Sequence, residues 1–402
     1  MRFYIPLLFL LFPLMVLAQT GSITGKVIRM DNKSPMAKAS VFLSNSSYGT
    51  ITNDDGTFTL SGLKPGQYEL VVTSVGFEDF NKTIMVPRDA KEPVRVDVEM
   101  IVKTTQLHEV VITTPENWKR NYEQFVKLFL GESANAKKCK ILNPHSLSFL
   151  NHKAKQSLEA WSDEFIEIEN KALGYKVKFL LKEFNYNGID NIISWEGKIL
   201  FNELPGSVSQ KKQWEEKRND IYYGSNMHFF RSLQNAKLSE DGFAVMILER
   251  KPNPNRPQQE MLMKKINFWG QNNIDSANKY RRLYNLPKYD ENLIRQPLKE
   301  TDIARATEQP GVFVIGFPEH LYVMYTKKRE EEYMADIYRP LDMPNYQVSI
   351  ITLHTQYSMF DMNGSIISTP PPLFEGTWSK NKVAELLPVD YVPGELVLKE
   401  KL

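Results

Sequence analysis

The chain opens on a nearly unbroken apolar run, Ile5 to Leu17, and from Ser22 the pattern changes to short alternating segments. Ser22–Ile28, Ala39–Leu43, Phe58 with Leu60, Tyr68 with Leu70 and Val72, Ile84–Val86 and Val94–Met100 each put apolar side chains on one face of an extended backbone. Turn chemistry separates them. In Asn53-Asp54-Asp55-Gly56 the Asn and Asp tolerate left-handed backbone and Gly adopts it freely, while in Leu63-Lys64-Pro65-Gly66 the proline presets φ. Turn signals at this spacing predict a β-sandwich of about seven strands over residues 20–101.

Beyond residue 117 the pattern lengthens. Trp118, Tyr122, Phe125 and Phe129 recur at helical spacing and Gly131 closes the run, which predicts an amphipathic helix with an aromatic face. Strand patterns follow at Leu147–Leu150, Ser157–Trp161, Phe165–Ile168, Tyr175–Phe184 and Ile192–Phe201. Gln210–Asn235 has a helical pattern interrupted near Gly224. Further strands are expected at Phe243–Leu248, Gly311–Phe317, Leu321–Tyr325, and at Val348–Met362 paired with Ser365–Ile367 through Asn363-Gly364. Asn253–Pro257 reads as a loop, Pro370–Pro372 as a stiff connector and Val383–Leu387 as a final amphipathic turn. The expectation for 117–399 is a larger α+β domain with mainly antiparallel sheet, joined to the sandwich by a linker or added strand at 102–116.

The first run carries an address. Arg2 precedes the apolar stretch, and Val16-Leu17-Ala18 has the small residues of a cleavage site before Gln19, so residues 1–18 read as a signal peptide. A lipoprotein signal would need Cys where Gln19 stands. Pro6 and Pro13 interrupt a run already too short for a membrane span, and no later stretch is as long as the ~18 residues a span needs. Cys139 is the single cysteine, so no internal disulfide forms; an exported chain of this size without one points to a bacterial periplasm or the periplasmic face of an outer membrane. Lys and Arg number 50 against 48 Asp and Glu, which leaves no basic face for nucleic acid.

The residues Gly25-Lys-Val, Pro35, Ala39-Ser-Val, Gly49-Thr-Ile-Thr52-Asn-Asp-Asp55-Gly56-Thr-Phe58, Leu63-Lys-Pro65-Gly66-Gln-Tyr68 and Val75-Gly76-Phe77 resemble the carboxypeptidase-regulatory-like family, a transthyretin-like sandwich that accompanies certain zinc carboxypeptidases. The peptidase unit itself uses a His-x-x-Glu pair and a later His. None of the six histidines here (His108, His145, His152, His228, His320, His354) has Glu three residues on, so no metal site is visible and no cofactor is expected. The Asn-Asp-Asp-Gly turn lacks the ligand series of a calcium loop. Leu107-His-Glu-Val110-Val is similar to the segment that follows this domain in many TonB-dependent outer-membrane transporters, but the serial lipid-facing strands of their barrel do not follow. Asn143-Pro144, Leu158-Glu-Ala160, Ile168-Glu169-Asn170, Leu173-Gly174-Tyr175, Tyr223-Gly224-Ser225 with His228-Phe229, and Leu386-Leu387-Pro388-Val389-Asp390-Tyr391 resemble the long envelope form of such proteins in Gram-negative bacteria. That resemblance runs to the C-terminus, implies a complete chain, and brings no established activity with it.

Nucleophile motifs are poor. Ser209-Gln-Lys-Lys212 and Ser379-Lys-Asn-Lys382 match Ser-x-x-Lys without its companion motifs, and Cys139 has cationic neighbours but no base beside it. One candidate contact cluster stands out: Trp214, Tyr222, His228 and Arg231, spaced as if along one helix face. Aromatics with Arg suit a partner hot spot or sugar stacking. The expected function is a non-catalytic binding or assembly protein of the envelope, its partner an envelope protein or transporter component. The alternatives are a hydrolase acting on peptide or glycan through the second domain, and a carbohydrate-binding protein.

Overall fold

The computed structural model describes residues 20–87, 92–103, 114–152, 155–331 and 337–394. The expected signal peptide and most of the 102–116 junction lie outside the described residues.

Strand Gly21–Arg29 is the centre of the first sheet of the sandwich. It pairs antiparallel with Thr57–Leu63 and parallel with both Val94–Arg95 and Val98–Met100. The expected single run Val94–Met100 is thus two short strands, parted where the Val96 amide donates to Thr24 O and Asp97 accepts from the Lys26 amide. The second sheet runs Gly49–Ile51, Ser40–Leu43, Gly66–Thr73, Phe80–Val86. The alternating residues Ile23, Val27, Val41, Phe58, Leu60, Leu70 and Val72 meet between the sheets as one core. Gly56 turns the chain at φ +80°, and a Cβ there would stand 2.4 Å from Val27 O, so the turn requires glycine. Beyond the sandwich core, Phe77 bridges Val102 and the Lys103 amide donates to Gly76 O.

Helix α1 (Pro115–Phe129) is capped by Thr114, whose hydroxyl accepts from the Asn117 amide, and ends before Gly131 at φ +95°. It lies on a six-stranded antiparallel sheet whose long member, Tyr175–Asn187, pairs on one edge with Ile192–Glu203 and on the other with Ile166–Asn170 and Ser157–Ser162 in turn. The helix stripe read from the sequence is core: Phe125 and Phe129 stack at 4.6 Å and meet Phe149, Phe179 and Phe184 edge-on.

The expected helix over Gln210–Asn235 is two, α2 (Val208–Tyr222) and α3 (Asn226–Gln234). Gly224 breaks it at φ +91°, where a Cβ would fall 2.6 Å from the Tyr325 ring, and Ser225 caps α3 by accepting from the His228 amide. Helix α4 (Leu238–Asp241) leads into a five-stranded sheet ordered Tyr289–Ile294, Phe243–Pro252, His320–Arg329, Tyr346–Thr352, Leu373–Gly376. Here the pattern misled in two places. Val348–Met362 is not one strand: Tyr346–Thr352 belongs to this sheet, while Ser358–Asp361 joins a three-stranded sheet with Ala304–Ala306 and Val312–Ile315. Polar residues break the run at Thr355, whose hydroxyl donates to Tyr357 O. The second is a pair of helices with no counterpart in the expected elements, α5 (Gln259–Asn272) and α6 (Ile274–Tyr284), inserted between two neighbouring strands. The Asn363-Gly364 hairpin is present, with the Gly364 amide donating to Asp361 O and Phe360 bridging Ile366.

Candidate functional site

The sandwich and the rest of the chain meet along a built seam. Phe42 and Val71, on the outer face of the second sandwich sheet, pack with Leu200 and Phe165. The Asn45 amide donates to Ile199 O at 2.7 Å, the Phe201 amide to Ser46 O at 2.9 Å, and Lys198 pairs with Glu69 at 2.5 Å. A strap formed by residues 383–394 threads across the seam. Its Val389 enters the sandwich core and donates its amide to Asn45 O, while Asp390 accepts from the Ser47 amide and hydroxyl and offers its carbonyl to Lys64. On the far side Tyr391 Oη donates between Glu215 and Asn219, at 2.9 Å from each.

Arg231 holds this strap. From α3 it donates through Nε to Asn363 O at 2.8 Å, through Nη1 to Tyr391 O at 2.8 Å and through Nη2 to Val389 O at 2.7 Å, and its guanidinium lies 5.5 Å from the Tyr222 ring centre. Three fixed donors of one planar group therefore close two loops on one helix. Tyr222 is buried at the end of α2 against His228 and Tyr391. His228 is buried too. Its Nδ1 accepts from the Gly224 amide at 3.2 Å, which assigns the ring proton to Nε2, 3.8 Å from Asp241 Oδ2. Burial pushes its pKa down to about 4, so the ring is neutral, with Nδ1 occupied as an acceptor and the Nε2 proton out of hydrogen-bond reach of Asp241. It has no lone pair to offer as a general base.

Tyr222, His228 and Arg231 thus come together, and Trp214 does not join them. It sits about 12 Å back along α2, two turns away, where its Nε1 donates to Lys171 O and its ring packs on Gly174 and Gly206. The kink at Gly224 also turns α3 off the line of α2, so one shared face never forms. Four further residues here stood outside the candidate cluster read from the sequence: Asp361, Asn363, Ser232 and Asp241. Asp361 is buried and accepts from the Asn363 and Ser365 amides, while Asn363 Nδ2 reaches across to Gln67 O of the sandwich at 3.1 Å. Burial pushes Asp361 up to about 6. Ser232 Oγ lies 2.6 Å from Asp241 Oδ2. The Asn-Gly pair at 363–364 signalled the hairpin, but nothing local signalled what it would touch.

Between these parts lies an open cleft of about 520 Å³. Lys64 and Pro65 of the sandwich form one wall, His228 and Gln234 of α3 with Asn235 and Lys237 beyond it another, and Met362, Asn363 and the strap close the rest. Gln234 Oε1 is buried there with no donor among the described residues, although Nε2 of the same amide donates to Met362 O. Elsewhere the candidate nucleophiles are poorly placed. Burial drives the Cys139 thiol up to about 12, against the activation its lysine neighbours suggested. Ser379 Oγ donates to Gly376 O. Among the described residues no three His, Cys, Asp or Glu side chains gather as a metal site.

Residues 23–112 match the model of the CarboxypepD_reg-like domain. The chain carries a carboxypeptidase-regulatory-like domain. That domain is the sandwich described above, and the match extends past Met100 through the segment bridged to Phe77. No curated protein matches the chain. Among solved structures it is similar to a group B streptococcus pilus 2b backbone protein (23% identity over 21% of this chain and 42% of that one, TM-score 0.18). It is also similar to the Bacillus anthracis TIE protein (14% identity, 47% and 32% covered, TM-score 0.19) and to a DUF3823 family protein from Bacteroides ovatus (15% identity, 47% and 83% covered, TM-score 0.16). The chain spans less than half the length of the first two.

Proposed function

We propose that this is a non-catalytic binding or assembly protein of a bacterial envelope, in which the carboxypeptidase-regulatory-like sandwich is a recognition adaptor and the seam cleft receives a segment of the partner. The observation that carries this reading is the double origin of the cleft. Its walls come from the sandwich, from α3 and from the strap, so a segment lying there contacts both units at once. The candidate cluster supports it: Arg231 fastens the strap and the Asn363 hairpin to α3, which makes the cleft a fixed shape of the kind that binds without a large ordering cost. The export signal and the transporter-like junction supply the compartment.

A photo-crosslinking side chain at Lys237, on the rim of the cleft, tests it in intact envelopes. The expected result is one reproducible protein adduct from Lys237 and none from exposed Thr59 on the sandwich. Recovery of uncrosslinked chain from both positions would sink the reading.

A further inference from the structure

The strand Ile192–Glu203 lies on the edge of the six-stranded sheet. One side pairs with Tyr175–Asn187 along its whole length, and the other side is covered over only part of it. On that outer side the Asn45 amide donates to Ile199 O and the Phe201 amide to Ser46 O, so the odd-numbered residues turn their backbone groups away from Tyr175–Asn187. Alternation carries this direction back through Gly197, Trp195 and Ile193, because the one register shift puts its extra residue, Lys182, in Tyr175–Asn187. The N–H and C=O groups of Ile193, Trp195 and Gly197 make no backbone hydrogen bond among the described residues. They stand as a row of free donors and acceptors about 14 Å long.

Open edges are a liability that proteins blunt with short strands or with charge. Several other edges here are blunted in that way. Gly49–Ile51, Cys139–Ile141 and Leu373–Gly376 end their sheets with strands of three or four residues, Phe80–Val86 carries Lys82, and Tyr289–Ile294 carries Asp290 and Glu291. The free stretch Ile192-Ile193-Ser194-Trp195-Glu196-Gly197 has no proline and one charge, and Lys182 of the neighbouring strand offsets Glu196 at 2.7 Å. Ile192 is 41% and Trp195 39% exposed. Trp195 stands edge-on to Phe179 at 5.3 Å and Ile193 packs on the same aromatic core, so their side of the strand is an apolar floor that ends at the open edge.

We propose that this edge docks an extended segment of another protein as an added strand, with β-branched apolar side chains at alternate positions beside Ile193 and Trp195. Continuity with the seam supports it. The same edge already seats backbone of the sandwich at Ile199 and Phe201, and the free groups continue that line. A second copy of the chain does not fit. A two-fold axis at Trp195 would set Ile199 of one copy opposite Asn191 of the other, which drives the sandwich seated at Ile199 into the other copy's turn at 188–191. A single extended segment brings no such body with it. The edge shares no residue with the seam cleft, so the two sites are tested independently.

Amide hydrogen exchange of the chain from Thr20 onward, with the end-blocked peptide Lys-Thr-Val-Thr-Val-Thr-Lys as probe, tests this. Every described element lies in that chain. Exchange at the Ile193, Trp195 and Gly197 amides is expected to slow at least tenfold when the peptide is added. The same peptide with proline for both valines lacks the N–H groups that would face the edge and should leave the three amides fast. Trp195→Lys puts a charge on the edge and should weaken peptide binding at least tenfold. Unchanged exchange at the Leu200 amide, further along the same strand, checks that this variant keeps its sheet. No protection in the parent, equal protection by the proline peptide, or full binding by Trp195→Lys would overturn the inference. So would protection of the three amides in the chain alone that fades on dilution, which would make the edge a contact between copies.

Discussion

The sandwich and the sheet that follows it are both largely antiparallel, yet they are built from different side chains. The sandwich core is mainly aliphatic, with Phe58 and Tyr68 its buried rings, and its strands are short, with a turn signal after nearly every one. The second core is aromatic: Phe125, Phe129, Phe149, Phe179 and Phe184 interlock between α1 and a sheet whose strands reach 13 residues. Short aliphatic strands close on their neighbours locally. Large rings need a partner from a distant element to cover them, and α1 is that partner. The first kind is closed almost wholly by its own strands, with Val389 of the strap its one distant member. The second kind depends on its whole length, here including the strap, which contributes Val383, Leu387 and Tyr391 to its core.

Removing one ring gives the widest separation between the two regions. Phe129→Ala should cost about 4 kcal/mol, against about 2 for Val72→Ala in the sandwich. If the seam makes the regions one cooperative unit, each variant keeps a single transition in chemical unfolding. Two transitions in Phe129→Ala, with the upper one at the parent's midpoint, would show that the sandwich stands alone.

Cutting the seam is the next largest perturbation. Arg231→Ala leaves the Asn363, Val389 and Tyr391 carbonyls without their donor and should cost about 3 kcal/mol. Hydrogen exchange should then quicken at the strap amides, such as that of Val389, before those of the sandwich interior, such as that of Val72. Equal acceleration at both would mean that Arg231 supports the whole fold and not the joint.

Acid should act least, because two buried groups oppose one another. His228 is pushed from 6.5 to about 4, so the unfolded chain takes up this proton first and stability falls as pH drops from 6.5 towards 4. Asp361 is pushed from 3.8 to about 6, so the folded chain takes up this proton first and stability rises as pH drops from 6 towards 3.8. From these two groups, a nearly flat profile is expected between pH 4 and 6. Asp361→Asn removes the compensation and should reveal a loss of about 2 kcal/mol on acidification over that range. Urea midpoints for the variant that run parallel to the parent's would refute the pairing.

Much of the fold was legible. The sandwich strands, the aromatic stripe of α1, the interruption at Gly224 and the Asn363-Gly364 hairpin each rest on a local signal: alternation, helical spacing, or a glycine that must adopt positive φ. The seam was passed over by the reading of these strands as one-faced, although it left a local mark. Val41-Phe42-Leu43 and Leu70-Val71-Val72 are continuous apolar runs, and all six residues are buried, which is how a strand covered on both faces reads. The α5–α6 arm gave no such signal. Its pattern is weak because only Leu262 and Ala277 are buried on it.

The candidate cluster divides along the same line. Sequence spacing alone placed Trp214, Tyr222, His228 and Arg231 on one face, because periodicity assumes that a helix continues. The kink at Gly224 and the packing of Tyr325 against it decided otherwise, leaving Trp214 on Gly174 and Gly206 and turning Arg231 towards carbonyls up to 160 residues away. Local pattern determines which segments become strands and helices, since that depends on nearest neighbours along the chain. Which polar side chains become joints and which border a cleft depends on contacts between segments far apart in sequence, and only the tertiary structure decides that.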